Sequence, residues 1–502
     1  MRRTLGIVLC VSLIMVSFVS ISHADDGGEM GYSGGISEGT NLPYTMDKYV
    51  DSKIKKQTVF DYREMVFLTG EPIECIGTIT VVKGTVDYIK SPSGTYKETY
   101  TIKASDAEGT TIISRVLNFT TSYRVKEGEF KRQIVRNSQI TKWTESIITP
   151  EETYTLNSDA STYSKSSIED MTPGVSYYDT VISYNARYST SEDEDLVSMV
   201  SGNIYGYSQP WSKVEAQNLR MEISGDGGLT FDTVVELKPV LEAKKTLYYD
   251  ETNPYPISFG GSFNQRLERE STLSYNIISS SKTLSSKKKK GSILISPANN
   301  IEKLPISENL DFLTGHWAEE DVKKMYSMEI FTETPNTGMQ YQAMHRGDFV
   351  KALCLAMDIS TEKYEKITRT SPQIFADVPT THPLYKYIMA AYDAKLIKGI
   401  GTSFDIAVPI TRQEAFTIYV RVIGLERLGV TDSPQTPFVD DKMISPWAKK
   451  EIMAGFKLGI IKGDAQGRVL PTQWISKAEA AAIINRLVDY LREEISLDYR
   501  NY

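Results

Sequence analysis

Apolar and polar residues alternate with a period of two along much of the first half of the chain. Positions 96–103, 178–188 and 229–238 show the pattern most clearly, and glycine-rich turns such as 225–228 separate such runs. Alternation in segments rich in Thr, Tyr, Val and Ile predicts antiparallel strands with one face in water. Residues 45–290 are therefore predicted to form an antiparallel all-β domain, either a sandwich or a curved sheet. Two smaller domains are the alternative.

The pattern changes to helical spacing in the last two fifths of the chain. The apolar residues that recur three or four positions apart are Ala415, Ile418, Tyr419 and Val422, and later Ala480, Ile483, Ile484 and Leu487. A hydroxyl residue followed three positions later by glutamate precedes each run, at Thr411 with Glu414 and at Ser476 with Glu479. This is the spacing of a capping box, so a helix is predicted to begin directly after Thr411 and after Ser476.

A cation occupies the first position of each predicted helix, as Arg412 and Lys477. The N-terminus of a helix carries partial positive charge, so a cation there is electrostatically unfavourable. A cation at the same point of each unit therefore indicates a function. Together with free backbone N–H groups, the cation would make a site for an anion. The alternative is a solvated side chain whose stem covers the neighbouring helix.

These features belong to a unit that recurs about every 65 residues, which indicates one supersecondary element used three times. The corresponding segments are 344–348, 410–414 and 475–479; 375–378 and 438–441; 388–391 and 452–455; and 396–399 and 460–463. The first copy supplies Arg346 as the third cation, and its helix begins around Trp317. Gly399 and Gly463 stand where the first helix of a unit would end, and are predicted to form left-handed C-caps.

The combined pattern resembles the S-layer homology (SLH) domain over residues 305–495. The resemblance implies an all-α, pseudo-threefold bundle of three repeats at 305–365, 366–428 and 429–495, of which the first is degenerate. It also implies binding of an anionic secondary cell-wall polymer, often through a pyruvylated sugar, in grooves between repeats. The motif positions that carry over as candidate ligand-binding residues are Arg412, Lys477, Arg346, Thr411, Glu414, Asp377, Asp440, Gly399 and Gly463.

The departures from the family pattern rank the three cations. In the first repeat the Thr-Arg-Ala-Glu motif reads His-Arg-Gly-Asp, and in the third Lys477 keeps the charge but loses bidentate geometry. Arg412 is therefore expected to bind most strongly, then Lys477, then Arg346. Trp317 and Trp447 are predicted to be packing residues rather than sugar platforms.

The ends and linkers of the chain predict a secreted protein. Residues 1–24 read as a signal peptide, with two arginines, an apolar run and a small-x-small cleavage site. Residues 25–44 are predicted to be disordered and 291–304 to be a linker. No later apolar stretch reaches the length of a membrane span, so no membrane insertion is expected after signal removal. Retention at the cell wall or S-layer is expected to be non-covalent.

Composition removes several classes of function. The formal net charge of −8 argues against a nucleic-acid partner. The predicted β domain contains none of the 4 histidines of the chain, which excludes Ser-His and Cys-His triads and histidine zinc sites there. Cys75 and Cys354 are expected to be buried thiols, and the acidic run 192–195 a solvated loop rather than a calcium site. No metal or cofactor is predicted.

Two interpretations remain. The first is a non-enzymatic surface protein whose C-terminal repeats bind the wall polymer while the β domain serves as a structural or binding module, with other surface-layer proteins as further candidate partners. The second is a wall-tethered glycoside hydrolase with a pair of carboxylates in the β domain and the same anchor. A cleft holding two acids with opposed pKa shifts would favour the second interpretation.

Overall fold

A computed structural model describes most of the chain after residue 33. The described residues are 34–38, 56–84, 86, 88, 91–191, 195–226, 232–250, 262–280, 282–304, 310–399, 401–429 and 435–495. The predicted signal peptide at 1–24 and residues 192–194 of the acidic run lie outside these ranges.

The N-terminal region is built from strands, as its alternating pattern predicted. The strands are β1 (Gly35–Ser37), β2 (Lys56–Val66), β3 (Ile73–Lys83), β4 (Ser93–Ser105), β5 (Ile112–Glu127), β6 (Arg132–Ile148), β7 (Thr153–Leu156), β8 (Thr162–Met171), β9 (Ser176–Ser189), β10 (Asp195–Ser208), β11 (Ser212–Asp226), β12 (Asp232–Asp250), β13 (Ser262–Ser280), β14 (Lys290–Ile295) and β15 (Asn300–Lys303). They form one 15-stranded sheet in which neighbours along the chain are mostly neighbours in space. Every recorded pairing is antiparallel, for example β5 with β6 and β10 with β11.

The sheet curves until its two ends meet. The Ser271 hydroxyl on β13 donates to the carbonyl of Ser37 on β1 at 2.5 Å, and the Ser280 hydroxyl donates to the carbonyl of Gly70 at 3.2 Å. One apolar core fills the concave face and joins residues from both ends of the sheet, such as Ile36 and Leu273. The expected curved sheet is thus a single unit.

Two boundaries predicted from the sequence are wrong. Residues 25–44, expected to be disordered, contain β1, which pairs with β2 and is buried. Residues 291–304, expected to be a linker, contribute β14 and β15, both of which pair with β13. Composition suggested flexible segments, but edge pairing and burial of Ile36, Ile293 and Ile295 in the core override it.

The C-terminal region is helical. Its helices are α2 (Glu319–Ser327), α3 (Arg346–Ala356), α4 (Tyr385–Asp393), α5 (Arg412–Ile423), α6 (Pro446–Lys457) and α7 (Lys477–Glu493); a single turn, α1 (Ser286–Lys289), precedes β14. The three helices that begin at a cation are α3, α5 and α7, as the capping pattern predicted. Within the described ranges, no helix has the length and apolar character needed to cross a membrane.

The N-terminal ends of α3, α5 and α7 are joined by a closed cycle of backbone hydrogen bonds. The Ile410 amide donates to the Met344 carbonyl at 2.9 Å, the Met344 amide to the Ile475 carbonyl at 2.9 Å, and the Ile475 amide to the Ile410 carbonyl at 3.1 Å. Each of these residues lies two positions before its helix. The three helix starts therefore lie together at one end of the helical region.

The C-terminal ends of the same helices lie against the sheet. The Trp211 indole donates to the Ala356 carbonyl at the end of α3 at 2.9 Å, and the Tyr177 hydroxyl donates to the Ile423 carbonyl at the end of α5 at 2.9 Å. The Gln209 side chain donates to the Leu491 carbonyl in the last turn of α7 at 2.6 Å. These donors satisfy carbonyls that have no partner within their own helix.

Two tight turns of the sheet make this contact, between β8 and β9 and between β10 and β11. A side chain at Gly174 in the first turn would place a Cβ 2.4 Å from Val422, so only glycine allows the approach. The Gly174 amide donates to the Val422 carbonyl at 2.8 Å. Val175, Tyr207 and Trp211 are buried in the same apolar core as the helices. The sheet thus forms the base of the helical region.

The predicted helix ends at Gly399 and Gly463 are wrong. Helices α4 and α6 end several residues earlier, and the residues with positive φ after them are Lys395 (φ 65°) and Gly459 (φ 71°). Gly399 is instead required for packing, because a Cβ there would lie 2.2 Å from the ring of Phe375.

Candidate functional site

The capping boxes hold the helix starts in place. At α7 the Ser476 amide donates to one oxygen of Glu479 at 2.8 Å, and the Glu479 amide donates back to the Ser476 hydroxyl at 3.2 Å. At α5 the amide and the hydroxyl of Thr411 both donate to one oxygen of Glu414, at 2.9 and 2.8 Å. In each box the second carboxylate oxygen of the glutamate remains for another partner.

That second oxygen binds the cation of the preceding repeat. Arg346 on α3 reaches Glu414 at 2.5 Å, and Arg412 on α5 reaches Glu479 at 3.2 Å. In the third copy Lys477 pairs with Glu333 at 2.9 Å. We call the regions around Arg346, Arg412 and Lys477 the first, second and third grooves.

The cations are more enclosed than the sequence suggested. The Arg412 side chain is 18% exposed, and its Nε donates to the Val469 carbonyl at 2.8 Å. Its backbone amide donates to the Gln473 carbonyl at 2.7 Å, and the next amide, of Gln413, donates to Pro471 at 3.0 Å. The expectation of free backbone donors beside a free cation is therefore wrong at Arg412, because these donors are occupied within the protein.

Burial and pairing set the electrostatics of the grooves. Burial lowers the pKa of Arg412 from its ordinary value, against the opposing effect of Glu479. Burial alone would raise the pKa of Glu333, but the hydrogen bond and charge of Lys477, a backbone hydrogen bond and the charge of Lys351 together hold that pKa below its ordinary value. Glu333 is therefore charged at neutral pH, and an anionic ligand must compete with an internal carboxylate for Lys477.

The two predicted aspartates position the loops that hold the cations. Asp377 accepts the amides of Phe404 and Ile406 at 2.8 and 3.0 Å. Asp440 accepts the amides of Val469 and Leu470 at 2.9 and 2.8 Å. Since the Val469 carbonyl in turn binds Arg412, these carboxylates act on the grooves through the backbone.

The structure also assigns the remaining predicted residues. Gly463 lies close to the loop at Gly467, so it contributes tight packing near the same loop that Asp440 holds. Trp317 and Trp447 were predicted to pack, and this is wrong because both are exposed. Trp474 and Glu333 were not predicted as site residues, since their places beside a groove depend on contacts between repeats.

The sheet contains a pair of glutamates, but their geometry is that of a structural ion network. Arg115 binds Glu64 at 2.7 Å and Glu145 at 2.6 Å, and all three side chains are buried. Tyr62 donates to Glu64 at 2.6 Å and Tyr188 donates to Glu145 at 3.0 Å. The adjoining cavity of about 40 Å³ is large enough for water but too small for a sugar ring. This pair therefore does not provide glycosidase chemistry.

The two cysteines of the described region are buried and free, as predicted. Burial raises the pKa of the Cys75 thiol to about 12, so it is protonated and unreactive at neutral pH. Burial also raises the pKa of the Cys354 thiol. Among the described residues, no group of three or more His, Cys, Asp or Glu side chains is arranged to hold a metal ion.

This arrangement of capped helices, cations and loop-holding aspartates defines a repeated surface module. The S-layer homology domain family matches the chain in two segments, residues 374–416 and 437–481. These segments contain α4 with the start of α5, and α6 with the start of α7. The match indicates that the helical region associates with the cell surface.

Similarity to characterised proteins is limited to part of each. The chain is 30% identical over 186 residues to the exoglucanase XynX of Acetivibrio thermocellus, covering 35% of this chain and 16% of the relative. It is 34% identical over 124 residues to an endoglucanase of Bacillus sp. (strain KSM-635), covering 24% of this chain and 12% of the relative. A cell surface protein of Thermoanaerobacter kivui is 26% identical over 117 residues, covering 23% of this chain and 15% of the relative.

Proposed function

We propose that the chain is a secreted protein held non-covalently on the bacterial cell wall, with the helical region as anchor and the β domain displayed as a structural or binding module. In this proposal residues 1–24 are a signal peptide, and three S-layer homology repeats form a pseudo-threefold bundle over residues 305–495. The ligand is the anionic, pyruvylated secondary wall polymer.

The observation that carries the proposal is the repeated placement of a cation at one end of the bundle. Arg346, Arg412 and Lys477 each begin a helix, and the cycle of hydrogen bonds before these helices supports a threefold arrangement. The first repeat lies outside the segments that match the family, yet it supplies a helix start and a cation in the same arrangement. Three related grooves on one surface suit a polymer that repeats the same acidic sugar, because simultaneous binding raises the apparent affinity.

Binding in a groove is an exchange of carboxylates. A ketal-linked pyruvate presents a carboxylate like that of Glu479, and it takes the place of one Glu479 oxygen on Arg412. The other oxygen stays on the Ser476 amide, so the helix keeps its cap when the ligand binds. Arg412 keeps a carboxylate partner throughout this exchange, so its enclosed guanidinium is not left unpaired.

The three grooves are not equal in this proposal. Arg412 offers a guanidinium with planar geometry, Lys477 a single ammonium group, and Arg346 lies in the repeat that departs most from the family pattern. The expected order of binding is Arg412, Lys477, Arg346. Thr411, Glu414, Asp377, Asp440, Gly399 and Gly463 maintain the shape of the grooves.

The test is co-sedimentation of the mature full-length chain with purified cell-wall sacculi, before and after chemical extraction of the secondary polymer. The full chain is needed because the base of the bundle is covered by the sheet. Binding that is lost on extraction supports the proposal. Binding that persists after extraction, or that never appears, contradicts it.

A further inference from the structure

Among the described residues of the helical region, four aromatic residues are more than half exposed, whereas both tryptophans of the sheet are buried. The four are Trp317 (64%), Tyr341 (73%), Trp447 (51%) and Trp474 (60%), and the buried tryptophans are Trp143 and Trp211. Exposing a large aromatic ring to water is unfavourable unless the ring has a partner.

In the second groove, an exposed ring directly adjoins the binding cation. The Arg412 amide donates to the Gln473 carbonyl at 2.7 Å, and Trp474 is the next residue. Trp474 also forms a β-bridge with Thr411, the cap residue beside Arg412. The backbone of Trp474 is thus held beside the groove by the same short bridge that positions the start of α5, and its side chain is exposed there.

In the third groove, a cluster of three rings lies next to the corresponding segment. The Lys477 amide donates to the Gln342 carbonyl at 2.9 Å, and Tyr341 is the preceding residue. His316 lies between Tyr341 and Trp317, with ring centroids 5.6 and 5.5 Å apart. The Ala318 amide donates to Nδ1 of His316 at 3.1 Å, which holds the central ring of the cluster in place.

The first groove has the same backbone contact without the rings. The Arg346 amide donates to the Val408 carbonyl at 2.9 Å, and the residues on either side of Val408 are Ala407 and Pro409. Counted from the carbonyl that accepts the amide of the cation, Pro409 corresponds to Trp474 in the second groove and Ala407 corresponds to Tyr341 in the third, so neither position carries a ring in the first groove. Pro383 stands where the first repeat has Trp317.

We propose that Trp474 in the second groove, and Tyr341 with Trp317 in the third, are stacking subsites for the pyranose rings of an acidic wall glycan. The inference rests on the proposed wall-binding function. An aromatic face covers the apolar C–H face of a sugar while the adjacent cation binds its carboxylate, so one groove recognises two features of one residue. The first groove offers a cation without such a ring. This is a second, independent reason for placing Arg346 last in the expected order of binding.

The experiment measures the affinity of the full-length chain for purified, chemically released wall glycan. Trp474→Ala and Tyr341→Ala remove a ring from the second and third grooves. Val408→Ala is the matched control, since it removes exposed apolar surface from the equivalent strand of the first groove. Each ring variant is expected to lose about tenfold in affinity, because aromatic residues are among those whose truncation at an interface costs most. The thermal midpoint stays unchanged because the rings are exposed.

The possible outcomes separate the two proposals. Weaker binding by both ring variants, with Val408→Ala like wild type, supports the stacking subsites. Wild-type affinity in both ring variants, while Arg412→Ala binds more weakly, overturns the subsites and leaves wall binding intact. An equal loss in Val408→Ala overturns them as a general surface effect. Absence of glycan binding by the wild-type chain overturns both proposals.

Discussion

The two ends of helices α3, α5 and α7 have their polar groups satisfied in different ways. At the N-terminal ends, the side chains of cations pair with part-exposed carboxylates of a neighbouring repeat, such as Glu479 with Arg412. At the C-terminal ends, carbonyls accept hydrogen bonds from buried neutral donors on the sheet, such as Trp211. Part-exposed ion pairs exchange readily, whereas buried neutral hydrogen bonds do not. In the proposed function, ligand exchange therefore occurs at the N-terminal ends, and the C-terminal ends hold the bundle on the sheet.

The distance between these ends determines where the sheet lies relative to the cations. Helix α7 has 17 residues, so its two ends lie about 25 Å apart at 1.5 Å per residue. If the cation end faces the wall, the sheet at the other end faces away from it. The contact between the sheet and the bundle then fixes the direction in which the β domain is displayed.

The largest loss of stability is expected at the C-terminal ends of the helices, where they contact the sheet. Trp211→Ala removes a buried ring and the donor to Ala356, and we expect a loss of about 3–5 kcal/mol in the free energy of unfolding. Denaturant titration measures it. Trp447→Ala is the matched control, since its ring is half exposed and the loss should stay below about 1 kcal/mol. Equal losses would contradict the assignment of cohesion to the sheet contact.

The next largest loss of stability is expected when one of the loop-holding carboxylates, Asp377, is replaced. Burial alone would raise the pKa of Asp377, but the amides of Phe404 and Ile406 outweigh it and hold that pKa below its ordinary value. Asp377→Asn is expected to cost about 1.5–3 kcal/mol at neutral pH, because it removes hydrogen bonds to a charged acceptor.

The pH dependence checks this cause. Because the folded pKa of Asp377 is lower than the unfolded one, its contribution is present above the ordinary carboxyl pKa and is lost as the pH falls below it. The stability difference between wild type and Asp377→Asn should therefore shrink between pH 5 and about pH 2 in denaturant titrations. A difference that stays constant with pH would show that the carboxylate charge has no role.

A smaller effect is expected from the helix cap. Ser476→Ala removes the hydroxyl that accepts from the Glu479 amide, and about 1 kcal/mol of stability should be lost. Ser476→Thr keeps the hydroxyl and serves as the control in the same thermal melts. A loss as large for threonine as for alanine would rule out the capping role.

The smallest effect is expected at Lys245, beside the contact between sheet and bundle. Burial lowers the pKa of Lys245 from 10.5 to about 8. Between these values the unfolded chain binds more protons, so stability from this group rises as the pH increases from 8 to 10.5. Partial exposure of the side chain keeps the effect small. Relative to Lys245→Met, wild type should gain stability over this range in denaturant titrations, and parallel profiles would contradict the shift.

The features that could be predicted from the sequence depend on residues close together in the chain. A capping box involves residues three positions apart, so the starts of α5 and α7 at Arg412 and Lys477 were predictable. Alternation likewise predicts which face of a strand is buried, and the sheet has this pattern, for example along β9.

Contacts between distant segments explain the rest. The partner of Arg412 is Glu479, which lies one repeat away, and the donor to Ala356 is Trp211 on the sheet. Periodicity gives the face of a residue within its own element, but it does not give the element that covers that face. For this reason Trp317 was expected to pack and is exposed, and β14 was taken for a linker.

The most direct test of the division between the two ends is wall binding by Arg412→Ala and Arg346→Ala, with the thermal midpoint of each variant measured alongside. The account predicts that Arg412→Ala weakens binding to sacculi more than Arg346→Ala, while both variants stay folded and keep a single cooperative thermal transition. Equal losses of binding, or undiminished binding by Arg412→Ala, would contradict it.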